Sequence, residues 1–323
     1  MTANNSHNSA IQYLRQRLDQ DYVERRLTKE NSHHQRVLST GHKLFHVENW
    51  YSIHGFIRHC FRAIGLHGRG QRNARELKLN HNTIALAHLP SAFDGFRILH
   101  LSDLHLDMDR GTTHALNELV RQVDYDLCVL TGDYRANTFG DSVRCMDILE
   151  QTRLHLSSPI YAILGNHDSL MMLPRMEQMG IRVLVNEATT IAREDQHLGL
   201  AGIDDAHYFQ MDDIDNAVQD IGNCRVKILL SHTPETYQHA ARVGFDIFFC
   251  GHTHGGQICL PGGIPVILEA NCPRRLGKGA WKHEDMQGYT SVGASTSVVN
   301  LRFNCPPEIT VHRLQRLSES SEV

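Results

Sequence analysis

The sequence predicts an α/β protein built in layers. Two observations carry this. Short apolar runs recur along the chain, each too short for a helix and each closed by Gly, Ser, Asn or Asp. Between them lie longer stretches with apolar residues at helical spacing. A third observation points to a site. Five of the runs end at Asp, Asn or His: Ile98–Leu101 before Ser102-Asp103-Leu104-His105, Leu127–Leu130 before Thr131-Gly132-Asp133, Ile160–Leu164 before Gly165-Asn166-His167-Asp168, Val226–Leu230 before Ser231-His232, and Ile247–Cys250 before Gly251-His252-Thr253-His254.

The elements follow in chain order. Residues 1–10 are polar and read as disordered. Ile11, Leu14, Leu18 and Tyr22 recur at helical spacing in a charged stretch and predict a surface helix; residues 28–43 read as a linker. Ile53, Phe56, Ile57, Cys60, Phe61 and Ile64 form one apolar stripe, preceded by Trp50-Tyr51 and followed by Arg69, Arg72 and Arg75. An aromatic start, an apolar stripe and flanking cations suit an interfacial membrane helix over 50–66, and packing on the remainder of the chain or in a partner's groove suits the same pattern. Strands are expected at 77–79, 83–86 and 96–101. Helices are expected at 112–123 (with Thr112 or Thr113 near the cap), 142–151, 171–179, 212–219 and 234–243, and a closing strand at 291–299. The boundaries drawn from this are an N-terminal helical extension over 1–90, a catalytic domain over 91–316 and a polar tail over 317–323.

Composition bounds the classes. The chain has 323 residues, 41% of them apolar and 21% charged, with a formal net charge of −4. That length allows a large core, and the charge argues against general nucleic-acid binding. The eight cysteines show no paired zinc spacing, and Cys128 and Cys250 lie inside apolar runs, which suits a reducing compartment. The first residues lack a signal-peptide pattern, and no apolar run is long enough to span a bilayer. A cytoplasmic location is expected, with peripheral attachment on the inner face of the cytoplasmic membrane if 50–66 is interfacial.

The five strand ends form one constellation. Open α/β sheets bind ligands at the carboxyl ends of their strands. Alternate side chains of an extended backbone share a face, so His252 and His254 can both enter one site. Asp103, His105, Asp133, Asn166, His232, His252 and His254 make seven candidate ligands, too many for one ion. Two ions sharing a carboxylate would each receive about four protein ligands, and such pairs, roughly 3.5–4 Å apart, clamp a phosphoryl group. Mixed imidazole and carboxylate ligation suits Mn, Fe, Zn, Co or Ni better than Ca or Mg, and Mn is the expected ion. Asp107 and Asp109 read as a solvated loop and His100 as a packed strand residue. The loop Asp204-Asp205-Ala206-His207 reads equally as cleft lining or plain loop.

The set DxH, GD, GNHD, H and GHTH, spanning Arg97 to Gln257, resembles the calcineurin-like metallophosphoesterase superfamily. GHTHGGQICLPG and the closing NCPPEITVHRL resemble its small bacterial phosphodiesterases, one related branch of which hydrolyses UDP-2,3-diacylglucosamine in lipid A synthesis. The resemblance implies a four-layer sandwich of two mixed sheets flanked by helices. It implies that Asp103, His105 and His254 hold one divalent metal, that Asn166, His232 and His252 hold a second, and that Asp133 bridges them. His167 would face the leaving group and Asp168 would orient it through its other ring N–H. The nucleophile would be a metal-bound hydroxide, with no Ser or Cys required. Arg135, Arg274, Arg275 and Lys278 are candidate phosphate contacts. The expected activity is phosphodiester or diphosphate hydrolysis, on a lipid-linked nucleotide such as UDP-2,3-diacylglucosamine. A general or cyclic-nucleotide phosphodiesterase and a non-catalytic scaffold remain alternatives.

Overall fold

Alternation within the strands sets the layering. In β2 (Arg97–Leu101), Ile98 joins one apolar cluster while Leu99 and Leu101 join another. The same division runs through β3 (Leu127–Leu130), β8 (Lys227–Leu230) and β9 (Ile247–Cys250). A strand turns successive side chains to opposite faces, so each of these strands has apolar material on both sides and lies in an interior sheet. The structure, a computed structural model, describes residues 2–39, 59–157 and 159–317.

Two six-stranded mixed sheets result. The first has the order β1 (Lys78–Leu86), β14 (Glu308–Arg316), β2, β3, β4 (Ile160–Ala162), β5 (Ile181–Val183). The second has the order β12 (Gly279–His283), β13 (Met286–Thr290), β9, β8, β7 (Gln196–Gly202), β6 (Glu187–Arg193). The central strands of each run parallel, β2–β3–β4 in one and β7–β8–β9 in the other. Ile98, Val129 and Ile163 of the first sheet meet Leu200, Ile228, Leu230 and Phe249 of the second in the core between them. Helices α4 (Arg110–Val120) and α5 (Val143–Arg153) cover the outer face of the first sheet. Helices α7 (Ile214–Gln219) and α8 (Tyr237–Arg242) cover that of the second. This is the four-layer arrangement expected.

Several local expectations are corrected. Residues 2–10 are helical, within α1 (Thr2–Arg17), and α2 (Gln20–Ser39) runs through most of the expected linker. The single helix read across Leu18 is two, because the Asp19 carboxylate accepts from Tyr22 N–H and starts α2. Helix α4 begins at Arg110, capped by Asp109 on Thr112 N–H at 3.0 Å, so Asp109 is a cap and an ion-pair partner of Arg75. The Met-rich stretch is a short helical turn followed by α6 (Leu173–Gln178), with Met172 and Met176 fully inside the core. Residues 291–299 form no strand. Their carbonyls, at Val292, Gly293 and Ser295, turn instead to the buried guanidinium of Arg302. The boundary at 90 falls after β1, which pairs in parallel with β14 along nine residues, so the first sheet starts at Lys78.

Of the expected 50–66 segment, residues 50–58 lie outside the described residues. Residues 59–63 are helical and lead into α3 (His67–Arg75). Among the described residues no helix is long and apolar enough to cross a membrane.

The N-terminal helices dock through charge as much as through Leu14 and Val23. Arg17 reaches Glu177 and Glu187. Arg26 is completely buried, its Nε 2.7 Å from the equally buried Asp204, its guanidinium 3.6 Å above the Phe209 ring, and its Nη1 2.6 Å from Glu30. Removing one partner of a buried pair strands the other charge. Arg26→Ala is therefore expected to cost about 3–5 kcal/mol, read as a lowered thermal midpoint. Arg26→Ala with Asp204→Ala should recover part of that loss, and an additive double variant would mean the pair is not coupled.

Candidate metal centre

All seven candidate ligands lie just past strand ends, and they come from both sheets. Asp103 and His105 follow β2, Asp133 follows β3 and Asn166 follows β4. His232 follows β8, and His252 and His254 follow β9. They form two buried groups, Asp103–His105–His254 and Asp133–His232–His252, each able to close on one ion. Asn166 belongs with the second, its Oδ1 3.0 Å from His232 Nε2 and 2.9 Å from His252 Nδ1. Asp133 Oδ2 lies 3.3 Å from His232 Nε2 and 3.9 Å from His105 Nε2, so it faces both groups.

The backbone is bent to make this possible. Asp103, His105, Asp133, His252 and His254 all have positive φ, between 35° and 70°. Such conformations cost on the order of 1–3 kcal/mol each and concentrate at functional sites. They also correct the reading of Gly251–His254 as extended. The two histidines diverge because each is left-handed, and each joins a different group. Gly132, at φ 93°, has no room for a Cβ, which would lie 2.5 Å from Gly165 N. The turns after β3 and β4 are thereby pressed together.

The donors are prepared for cations. His105 Nδ1–H donates to Arg135 O at 2.8 Å and His232 Nδ1–H to Thr131 O at 2.7 Å, which turns the Nε2 of each inward. His105 Nε2 and His254 Nε2 face each other at 3.2 Å, and His252 Nε2 is buried without a partner. Burial raises the Asp103 carboxyl above its ordinary range. Burial also opposes ionisation of Asp133, but the surrounding His232 and His167 outweigh it and hold that carboxyl well below the usual range. Burial works against a charge on His232, yet Asp133 beside it lifts the imidazole to about 10. In the ion-free chain the cluster thus draws a proton into the place a cation would take. Two carboxylates, an amide oxygen and four imidazole nitrogens, dry and convergent, fit a pair of divalent ions.

The remaining predicted residues divide. His167 is brought in, its Nε2 3.9 Å from Asp133 Oδ2 and its Nδ1 3.2 Å from Thr138 Oγ1. Asp168 does not orient it. The Asp168 carboxylate turns away and accepts from Asp133 N–H at 2.7 Å, Tyr134 N–H at 2.9 Å and Gly165 N–H at 2.9 Å, tying the β3 and β4 loops together. Arg135 is buried and donates from each of its three nitrogens to the carbonyls of His167, Thr138 and Gly140, so it clamps these loops together. Arg274 and Lys278 bond the carbonyls of Pro265 and Gly263, and Arg275 reaches Lys282 O at 3.5 Å. These cations line a neighbouring hairpin and contact none of the seven ligands. His100 is a core residue as expected, 2.9 Å from Thr131 Oγ1, and burial pushes its imidazole down to about 3.

Two further residues pack against the centre. The His207 ring packs against that of His252, tilted by 48° with centroids 4.5 Å apart, and is held by Glu235 at 2.8 Å, which places its loop beside the centre. Arg302 packs behind His254. The Asp204–His207 loop is the one read equally as cleft lining or plain loop; Arg302 has no spacing signal, because it acts from a loop distant in the chain.

Two sheets back to back, with paired metal-ligand groups at their carboxyl ends, define a metal-dependent phosphoester hydrolase. A sequence model of the calcineurin-like phosphoesterases matches residues 96–256, the stretch that carries all seven candidate ligands. The chain belongs to that family and is a metallophosphoesterase. It is 29% identical over 256 residues to the uncharacterized metallophosphoesterase YkoQ of Bacillus subtilis, covering 76% of this chain and 93% of that one. It is 28% identical over 232 residues to the phosphodiesterase YaeI of Escherichia coli, covering 68% and 82%. It is 26% identical over 304 residues to the UDP-2,3-diacylglucosamine pyrophosphatase LpxG of Chlamydia trachomatis, covering 74% and 88%.

Proposed function

We propose that the chain hydrolyses a phosphodiester or diphosphate through two divalent ions, manganese foremost, and that its substrate is a lipid-linked nucleotide. The observation that carries the reading is the meeting of the two ligand groups at Asp133. Asp103, His105 and His254 would hold one ion, Asn166, His232 and His252 the other, with Asp133 between. Bound there, the ions supply Lewis acidity toward phosphoryl oxygens and toward water. The chain supplies the rest. Asp168 and Arg135 fix the two loops that present Asp133 and His167. Burial keeps His167 neutral at physiological pH, its imidazole held at about 4. A neutral ring has one N–H. In the tautomer where Thr138 Oγ1 donates to Nδ1, that N–H is on Nε2, the nitrogen nearer Asp133, from where it can donate to a substrate oxygen.

The lipid-linked substrate is suggested by the likeness to a UDP-2,3-diacylglucosamine pyrophosphatase, and the 50–66 segment would give peripheral membrane contact. Metal-stripped protein titrated with Mn²⁺ should recover hydrolysis of bis-p-nitrophenyl phosphate as two equivalents bind. Two bound equivalents with no turnover of any phosphodiester would sink the catalytic reading. His252→Ala and His254→Ala should each bind close to one equivalent, by metal analysis, and each should lose most activity. If either variant lost both ions together, the assignment of the histidines to separate ions would be wrong. A UDP-linked diacyl sugar should be cleaved in preference to cyclic nucleotides; the reverse preference would favour a general phosphodiesterase.

A further inference from the structure

Directly after the loop that carries His254, the chain makes a small hairpin, β10 (Cys259–Leu260) and β11 (Ile264–Pro265), with Leu260 paired opposite Ile264. Its apolar side chains point outward. Leu260, Ile264, Val266 and Ile267 are 55–57% exposed, on a hairpin too short to have a core of its own. From Ile258 to Lys282 the only acid is Glu269, against Arg274, Arg275, Lys278 and Lys282. Arg274 and Lys278 bond carbonyls of the hairpin itself, which anchors their charges at its base without neutralising them.

A second basic and apolar element lies alongside. Residues 59–75 hold Arg62, Arg69 and Arg72, besides Arg75 paired with Asp109, and no acid, and Ile64 is 64% exposed. This element is joined to the hairpin through one strip of chain. Phe61 stacks on Phe303 with centroids 4.8 Å apart, Asn73 donates to Arg302 O, and Phe303 O accepts from Cys259 N–H of β10. The hairpin is also fixed to the metal centre. A Cβ on Gly256 would fall 2.4 Å from that of Pro265, so the loop after His254 and the hairpin are in direct contact.

We infer that the β10–β11 hairpin, with residues 59–75 beside it, docks on an anionic lipid bilayer and so brings the metal centre to the membrane surface. Exposed aliphatics with cations beside them match the apolar-and-anionic character of such a surface. The placement would let a lipid-anchored phosphoester reach the ions while its acyl chains stay near the bilayer. The inference rests on the membrane contact proposed above and extends it to a second element.

The full chain should co-sediment with equimolar phosphatidylcholine–phosphatidylglycerol vesicles far better than with pure phosphatidylcholine, and salt should weaken the binding. The variant Ile264→Ser, Val266→Ser, Ile267→Ser should bind the anionic vesicles about tenfold or more weakly, with hydrolysis of soluble bis-p-nitrophenyl phosphate unchanged. Ile64→Ser should give a smaller loss of the same sign. Arg274→Gln with Lys278→Gln should erase the preference for anionic vesicles. Unaltered vesicle binding by the hairpin variant would overturn the inference. So would failure of the full chain to bind either vesicle, the result expected if residues 40–58 or a protein partner cover the hairpin. Vesicle binding without hydrolysis would count against the proposed activity alone.

Discussion

Asp133→Asn should lower kcat on bis-p-nitrophenyl phosphate by roughly a thousandfold, on the scale of losing a central electrostatic group. The change is nearly isosteric. The remaining amide oxygen can still accept from His167 N–H, as Asp133 Oδ1 does at 2.8 Å. What disappears is the carboxylate whose Oδ2 lies near both His232 and His105. His232, held near 10 by that carboxylate, should fall toward its ordinary value, visible in an NMR titration of the ion-free protein. Metal analysis should show at least one position emptied. Full occupancy with near-normal turnover would remove Asp133 from the bridging role.

Asp168→Ala should damage the fold as well as the site. Three buried backbone N–H groups lose their acceptor, and an unsatisfied buried donor costs about 1–3 kcal/mol. Sharing among neighbours makes the sum less than additive, so roughly 3–6 kcal/mol is expected. For a domain of this size that is a fall in the thermal midpoint on the order of 10 °C. Asp168→Asn should fare little better, because Asp168 Oδ2 takes two N–H groups and Oδ1 a third, and an amide would set its own N–H against one of them. A role in orienting His167 predicts the opposite pattern, in which stability is kept and the pH profile of kcat changes. Differential scanning calorimetry beside a pH–rate profile separates the two.

The contrast between these residues shows what the chain reveals as plain text. The ligands are legible because each follows a buried strand, and the carboxyl ends of parallel strands gather in one place. The two-sheet layering is legible for the same reason, since strands apolar on both faces must be covered on both. Asp168 and Arg135 were misread because their direction depends on how closely two loops approach across Gly132 and Gly165, and a one-dimensional pattern holds no measure of that approach. Left-handed turns at Asp103, His105, Asp133, His252 and His254 leave no mark either, since none is glycine. Of the N-terminal helices only the stretch marked by Ile11, Leu14, Leu18 and Tyr22 is legible; the polar first residues and the part of the second helix from 28 onward carry too few apolar positions to betray a packed face, and Arg17, Arg26 and Lys29 supply much of the attachment. Pairing of β1 with β14 joins segments more than two hundred residues apart.

The mixed parentage of the ligands has a consequence for cohesion. One group takes Asp103 and His105 from the first sheet and His254 from the second. The other takes Asp133 and Asn166 from the first and His232 and His252 from the second. Each ion would therefore be a reversible cross-link between the two halves of the sandwich, at the edge where the strand ends converge. A tight ion that ignores the unfolded chain adds about 2.7 kcal/mol of stability at a hundred times its Kd. Metal supply would then act on two properties at once, switching on turnover and riveting the sheets together.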